Sequence, residues 1–152
     1  MSKDLRLSRM LHVLIHMAEH EGAATSQAIA AMLNTNPVVV RRTMASLRER
    51  GLVLSEKGHH GGWRLAQSLD RITLRDIHEA LGPGSVFALG PAQDHPECLV
   101  ERAVNASLAS AFARAEAVLL RELGSRTLAE VRQDFESLRA GQIQHEEHRT
   151  VR

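Results

Sequence analysis

Arg41 and Arg42 close the run Asn34-Thr35-Asn36-Pro37-Val38-Val39-Val40-Arg41-Arg42, and a short way downstream comes Lys57-Gly58-His59-His60-Gly61-Gly62-Trp63-Arg64. The chemistry these types offer is recognition of a polyanion. Thr35 or Asn36 can cap a helix whose first residue is Pro37, which leaves early backbone N–H groups and the positive end of the helix dipole facing outward, where phosphates are favoured. An arginine on the first turns of such a helix can grip guanine O6 and N7 with two hydrogen bonds, and small side chains such as Val38 and Ala45 can meet thymine methyl groups. Lys57, His59, His60 and Arg64 add positive or proton-donating groups on a loop made pliant by Gly58, Gly61 and Gly62.

Other reactive types are scattered. His12, His16 and His20 stand at i, i+4 and i+8, a spacing that could present imidazoles to a metal. No nearby carboxylate or thiol completes a ligand set, so core or interface histidines are expected and no metal. Cys98 is the lone cysteine. At its expected place at a helix start, with His95 nearby, it is a candidate redox or electrophile sensor. Asp94, Glu97 and Glu101 make its surroundings acidic, and a plain structural cysteine is the competing reading. Neither a Gly-x-Ser-x-Gly elbow, a P-loop, a dinucleotide fingerprint nor a His-Glu-x-x-His helix is present, so no catalytic residue is assigned.

The elements that must position these groups follow from periodicity. Leu7, Met10, Leu11, Val13, Leu14, Ile15 and Met17 predict a buried first helix ending near Gly22. Thr25 or Ser26 can cap a short second helix with Ile29, Met32 and Leu33 inward, and Ser26 is placed with the DNA-facing residues. The third helix runs from Pro37 to Arg50. Putting Val40, Met44 and Leu47 inward turns Val38, Arg41, Arg42, Ala45 and Glu49 outward. Leu52-Val53-Leu54 and Arg64-Leu65-Ala66 read as strands flanking the glycine loop, with Trp63 as a packing anchor. Thr73 with Asp76 makes a capping box, Ile72 with Ile77 a staple, for a helix from Leu74 to Leu81.

Residues 83–98 read as a linker. From Leu99 to Leu123 there is neither proline nor glycine, and Val104, Leu108, Ala111, Ala115 and Val118 trace a seam widened by Phe112 and Leu119. Such a helix is roughly 37 Å long, more than a small head can cover, so a second subunit is expected along it. A last helix starts behind the Thr127/Glu130 capping box and carries Leu128, Val131, Phe135 and Leu138 on one face. The polar stretch 141–152 is expected to be disordered. The fold class is thus mainly α with a small β-hairpin: a winged helix-turn-helix head over 1–82, a linker, and dimerisation helices over 99–140.

Composition agrees. At 152 residues the chain can bury a real core. Residues 1–75 carry eleven Lys/Arg against six Asp/Glu, a net of +5, and residues 76–152 carry eight against twelve, a net of −4. The basic half is the candidate polyanion face. Phe87, Phe112, Phe135 and Trp63 are the only aromatics besides histidine, too few for stacking single-stranded bases, so duplex DNA is the expected partner. The absence of a signal peptide pattern or a run of some 18 consecutive apolar residues predicts a cytoplasmic protein without a membrane partner.

These residues resemble the Rrf2 family of bacterial winged-helix transcription regulators, which includes the IscR, NsrR and CymR types. The resemblance spans nearly the whole chain. It is carried by the Asn34 to Arg42 run, Gly51-Leu52-Val53, the Gly58 to Leu65 loop, Ile72-Thr73-Leu74-Arg75-Asp76-Ile77 and Thr127-Leu128-Ala129-Glu130-Val131. With Ser85-Val86-Phe87-Ala88-Leu89 and His95-Pro96-Glu97-Cys98, it looks most like the YwnA-type branch. It implies a homodimer, paired through the long helix and the first helix, that binds a palindromic operator near a promoter; a repressor is the expected role, though the sequence does not tell activator from repressor. Family members holding an iron-sulfur cluster use three cysteines before the long helix. Only Cys98 occupies that region here, so no cofactor is expected. A winged-helix protein-interaction module that no longer reads DNA is the alternative, and a small-molecule effector is left open.

Overall fold

The computed structural model describes residues 4–82 and 90–150, with side chains through residue 142. Among the described residues six α-helices and one hairpin follow in order: α1 (Arg6–Glu19), α2 (Ser26–Leu33), α3 (Pro37–Glu49), β1 (Val53–Glu56), β2 (Gly62–Leu65), a 3-10 turn (Leu69–Arg71), α4 (Leu74–Ala80), α5 (Leu99–Gly124) and α6 (Leu128–Thr150).

Local chemistry starts and stops these elements as expected. The Thr25 hydroxyl accepts from the Ala28 N–H at the start of α2. Asn34 ends that helix in the left-handed region, at φ 50°, a conformation asparagine tolerates better than most residues. At α3 the Asn36 side chain accepts from the Val38 N–H at 2.8 Å, and Pro37 sits in the first turn. The Thr73/Asp76 capping box closes at both ends, with N–H and hydroxyl of Thr73 donating to the Asp76 carboxylate at 2.8 and 2.7 Å.

The head packs one core. Val13 and Leu14 of α1, Ile29 of α2, Val40, Met44 and Leu47 of α3, Val53 of β1, and Ile72 and Ile77 around α4 are fully buried or nearly so. Each such side chain contributes about 1.5–3 kcal/mol by leaving water. The hairpin is antiparallel, Val53 opposite Leu65 and Ser55 opposite Trp63. Ala24 joins its outer edge, exchanging backbone hydrogen bonds with Trp63 at 2.9 and 2.8 Å. That approach requires Gly62: at φ +149° a Cβ there would lie 2.6 Å from the Ala24 carbonyl oxygen.

Two expectations are corrected and a third is narrowed. The head does not end at residue 82, because Leu128 at the start of α6 is fully buried in the head core. A short antiparallel bridge ties it there, the Leu128 N–H donating to Ile72 O at 2.8 Å and the Leu74 N–H to Arg126 O at 3.0 Å. The tail expected to be disordered from 141 continues α6 to Thr150. Beyond Gly141 it has no helix breaker, and a helix already nucleated on the core extends at little cost. His12 and His20 are exposed and His16 is half-buried, so of the two readings of this row the core one is excluded and the interface one is left standing. The rings instead lie beside one another, centroids 4.7 and 6.3 Å apart.

α5 buries none of its residues. Val104, Leu108 and Val118 are 50%, 37% and 48% exposed, Ala111 and Ala115 are exposed, and Phe112 and Leu119 are half-covered. Alanines between the larger apolar residues raise its mean hydropathy to 1.2 over 18 residues, enough by length and composition for a membrane span. No consecutive run signals this, because charged and polar residues interrupt it. Part of the linker, residues 83–89 with Val86 and Phe87, lies outside the described residues. Residues 90–98 lie back on α5, the Asn105 side-chain amide donating to Ala92 O at 2.8 Å and the His95 N–H to the Glu101 carboxylate at 2.9 Å.

Candidate nucleic-acid interface

The buried seam of α3 fixes what it offers to solvent. With Val40, Met44 and Leu47 in the core, Val38, Arg41, Arg42 and Glu49 are exposed and Ala45 is half-exposed. Thr35 is half-covered and Asn36 exposed at the helix start, beside Pro37. The hairpin presents Lys57, His59 and His60 in its exposed tip, with Gly61 and Gly62 partly covered behind them. The two imidazoles meet edge to face, 5.0 Å between centroids.

Ten arginines and lysines lie between residues 4 and 82, and they divide into two sets. Arg6 pairs with Asp4 at 2.7 Å, Arg50 with Glu79 at 3.9 Å, Arg64 with Glu56 at 2.7 Å and Arg75 with Glu79 at 2.6 Å. Arg9, Arg41, Arg42, Arg48, Lys57 and Arg71 make no side-chain hydrogen bond or ion pair among the described residues. Three of those six are on α3 and one is in the hairpin tip. Arg64, expected as a free contact, is held across the hairpin by Glu56, because cross-strand neighbours of opposite charge attract. Arg9 carries no sequence signal, since only the tertiary fold brings it beside α3.

Ser26 does not belong to the solvent face on which the sequence placed it. It is 9% exposed, and its hydroxyl accepts from the Trp63 indole N–H at 3.0 Å. The bond ties the start of α2 to the hairpin and satisfies an indole that is itself buried. Cys98 stands at the N-cap position of α5 without a side-chain capping hydrogen bond and is exposed, so in a single copy it is not a buried apolar filler.

A helix-turn-helix whose second helix shows unpaired arginines to solvent, followed by a basic hairpin tip, defines a winged-helix DNA-binding regulator. The chain belongs to the Rrf2 family, described as iron-dependent transcriptional regulators, whose model matches residues 4–134. It is 28% identical to YwnA of Bacillus subtilis (strain 168), provisionally named an HTH-type transcriptional regulator, over 83% of this chain and 93% of that one. A transcriptional-regulator structure from Lactobacillus plantarum superposes with a TM-score of 0.73 at 21% identity, covering 96% of this chain and 99% of the other. CymR, the global cysteine regulator of B. subtilis, superposes at 0.60 with 24% identity over 88% and 97%. The family and these relatives are transcriptional regulators, not enzymes.

The iron in the family description does not fit these residues. Cys98 is the chain's sole cysteine, and among the described residues no three His, Cys, Asp or Glu side chains converge as metal ligands. A cluster held by thiolates has too few of them here.

Proposed function

We propose that two copies of this chain pair along α5 and bind a palindromic duplex site, acting as a cytoplasmic repressor. α3 enters the major groove, with Val38, Arg42 and Ala45 at base edges and Arg41 at a flanking strand. Thr35, Asn36 and Pro37 bring the helix start to a phosphate, and Lys57, His59 and His60 reach the neighbouring backbone or minor groove. Gly61 and Gly62, where a Cβ would meet the Glu56 and Ala24 carbonyls, set the course of the hairpin that carries the tip to DNA, and Arg64 reaches DNA by exchanging Glu56 for phosphate. Occupying promoter DNA blocks polymerase with no further contact, whereas activation needs an additional surface.

The observation that carries this reading is the division of charge. Arg41, Arg42 and Lys57 are exposed and uncommitted while Arg50, Arg64 and Arg75 are paired. The exposed face of α3 carries Arg41, Arg42 and Arg48 against one carboxylate, Glu49, so it stays net positive toward a polyanion. Binding to a selected duplex tests it. Arg42→Ala weakens specific binding by about 1–3 kcal/mol through loss of a bidentate guanine contact, and Lys57→Ala weakens all sequences alike and flattens the salt dependence. Unaltered affinity and slope in both variants would refute the assignment.

A further inference from the structure

Resting on the reading of α3 as the helix that enters the groove, we propose that Arg9, in the first turn of α1, is a further DNA contact. It neutralises a backbone phosphate along the Val39 to Thr43 flank of α3.

A helix lying in the major groove is bordered by a phosphate strand on each side. At about 100° per residue, with Arg42, Ala45 and Glu49 outward, Arg41 and Arg48 fall on one flank of α3 and Val39, Thr43 and Ser46 on the other. The first flank carries two unpaired cations. The second carries none that is unpaired, since Arg50 at the end of α3 is turned to Glu79 at 3.9 Å, and its hydroxyls are spent on their own helix: Thr43 donates to Val39 O at 3.1 Å and Ser46 to Arg42 O at 3.3 Å. On that side alone the recognition helix has no donor to offer a phosphate.

α1 supplies one. Arg9 and Arg6 line a cleft of about 60 Å³ whose other wall includes Thr35, Val39 and Thr43. Arg6 is committed, its guanidinium held by Asp4 at 2.7 Å and donating to Leu81 O at 3.0 Å. Arg9 is exposed, and among the described residues only its backbone is engaged, the N–H donating to Leu5 O at 3.0 Å. An arginine's long stem lets its planar fork reach a phosphate beside the helix it does not belong to. The two strands bordering α3 are then met by cations from different helices.

The test uses the full chain, a duplex carrying the selected site, and the variants Arg9→Ala, Arg9→Lys and Arg42→Ala. Arg9→Ala should bind roughly tenfold more weakly at low salt, to specific and unspecific duplex alike, and lower the slope of log K against log salt by about 0.9 per protomer. Arg9→Lys should recover most of the loss. Ethylation interference should lose one phosphate per half-site in Arg9→Ala, with the thermal midpoint unchanged. Wild-type affinity and slope in Arg9→Ala, beside lost sequence preference in Arg42→Ala, would overturn the Arg9 contact and leave the α3 reading standing. No duplex binding by the wild-type chain would overturn both.

Discussion

Ser26 and Trp63 hold the hairpin against α2 through one buried hydrogen bond of 3.0 Å. Ser26→Ala leaves the indole N–H buried without an acceptor, at a cost of about 1–3 kcal/mol. For a chain of this size each kcal/mol lowers the thermal midpoint by about 2–4 °C, which calorimetry reads directly. An unchanged midpoint would mean that Trp63 is anchored by packing alone. The Arg6 guanidinium beside Asp4 holds its carboxyl down to about 2, from the usual 3.8. A folded-state value below the unfolded one contributes stability above about pH 4, which is lost as pH falls through about 2. Both side chains are nearly half exposed, so water screens the pair and the contribution is small. Asp4→Asn should therefore lower the midpoint slightly at pH 6, with the gap to wild type closing by pH 2. Which cations stay free could not be read from residue types. The Glu56 partner of Arg64 follows from the hairpin register, and the burial of Ser26 follows from where Trp63 lands.

Capping and periodicity made most of the elements legible. Asn36-Pro37 starts α3, Thr73 with Asp76 starts α4 and Thr127 with Glu130 starts α6, because each motif satisfies backbone donors within a few residues and needs no tertiary context. Thr73→Ala should cost about 1 kcal/mol, measured by denaturant unfolding with an unchanged m-value. A changed m-value would show that α4 is lost rather than merely destabilised. The strands were displaced by one or two residues, since β2 begins at Gly62, where Ala24 approaches its backbone. A contact between residues so far apart leaves no trace in the local pattern. The extent of α6 was also hidden. Its polar composition reads as solvated chain, whereas its first turn is locked into the head by Leu128 and the bridge to Ile72 and Leu74.

At the scale of the molecule, a 26-residue α5 with no buried residue is the feature a single copy leaves incomplete. By length and composition α5 could also enter a bilayer. Pairing is favoured because the same chain carries a basic, unpaired set on α3 and the hairpin tip, and two heads joined through α5 would gain a second DNA contact at high effective concentration. Leu108→Glu and Val118→Glu should shift the sedimentation of the chain from dimer to monomer and weaken operator binding at least tenfold, with the head still folded by calorimetry. Sedimentation unchanged by both would place the subunit contact elsewhere. The most direct measurement is selection of duplexes from a random pool by the purified chain, with the stoichiometry of the complex read on the enriched sequence. An inverted repeat with half-sites about 10 base pairs apart, occupied by two chains, is expected from paired recognition helices on one face of the duplex. Enrichment of a single unrepeated site bound by one chain, or no enrichment at low salt, would contradict the account.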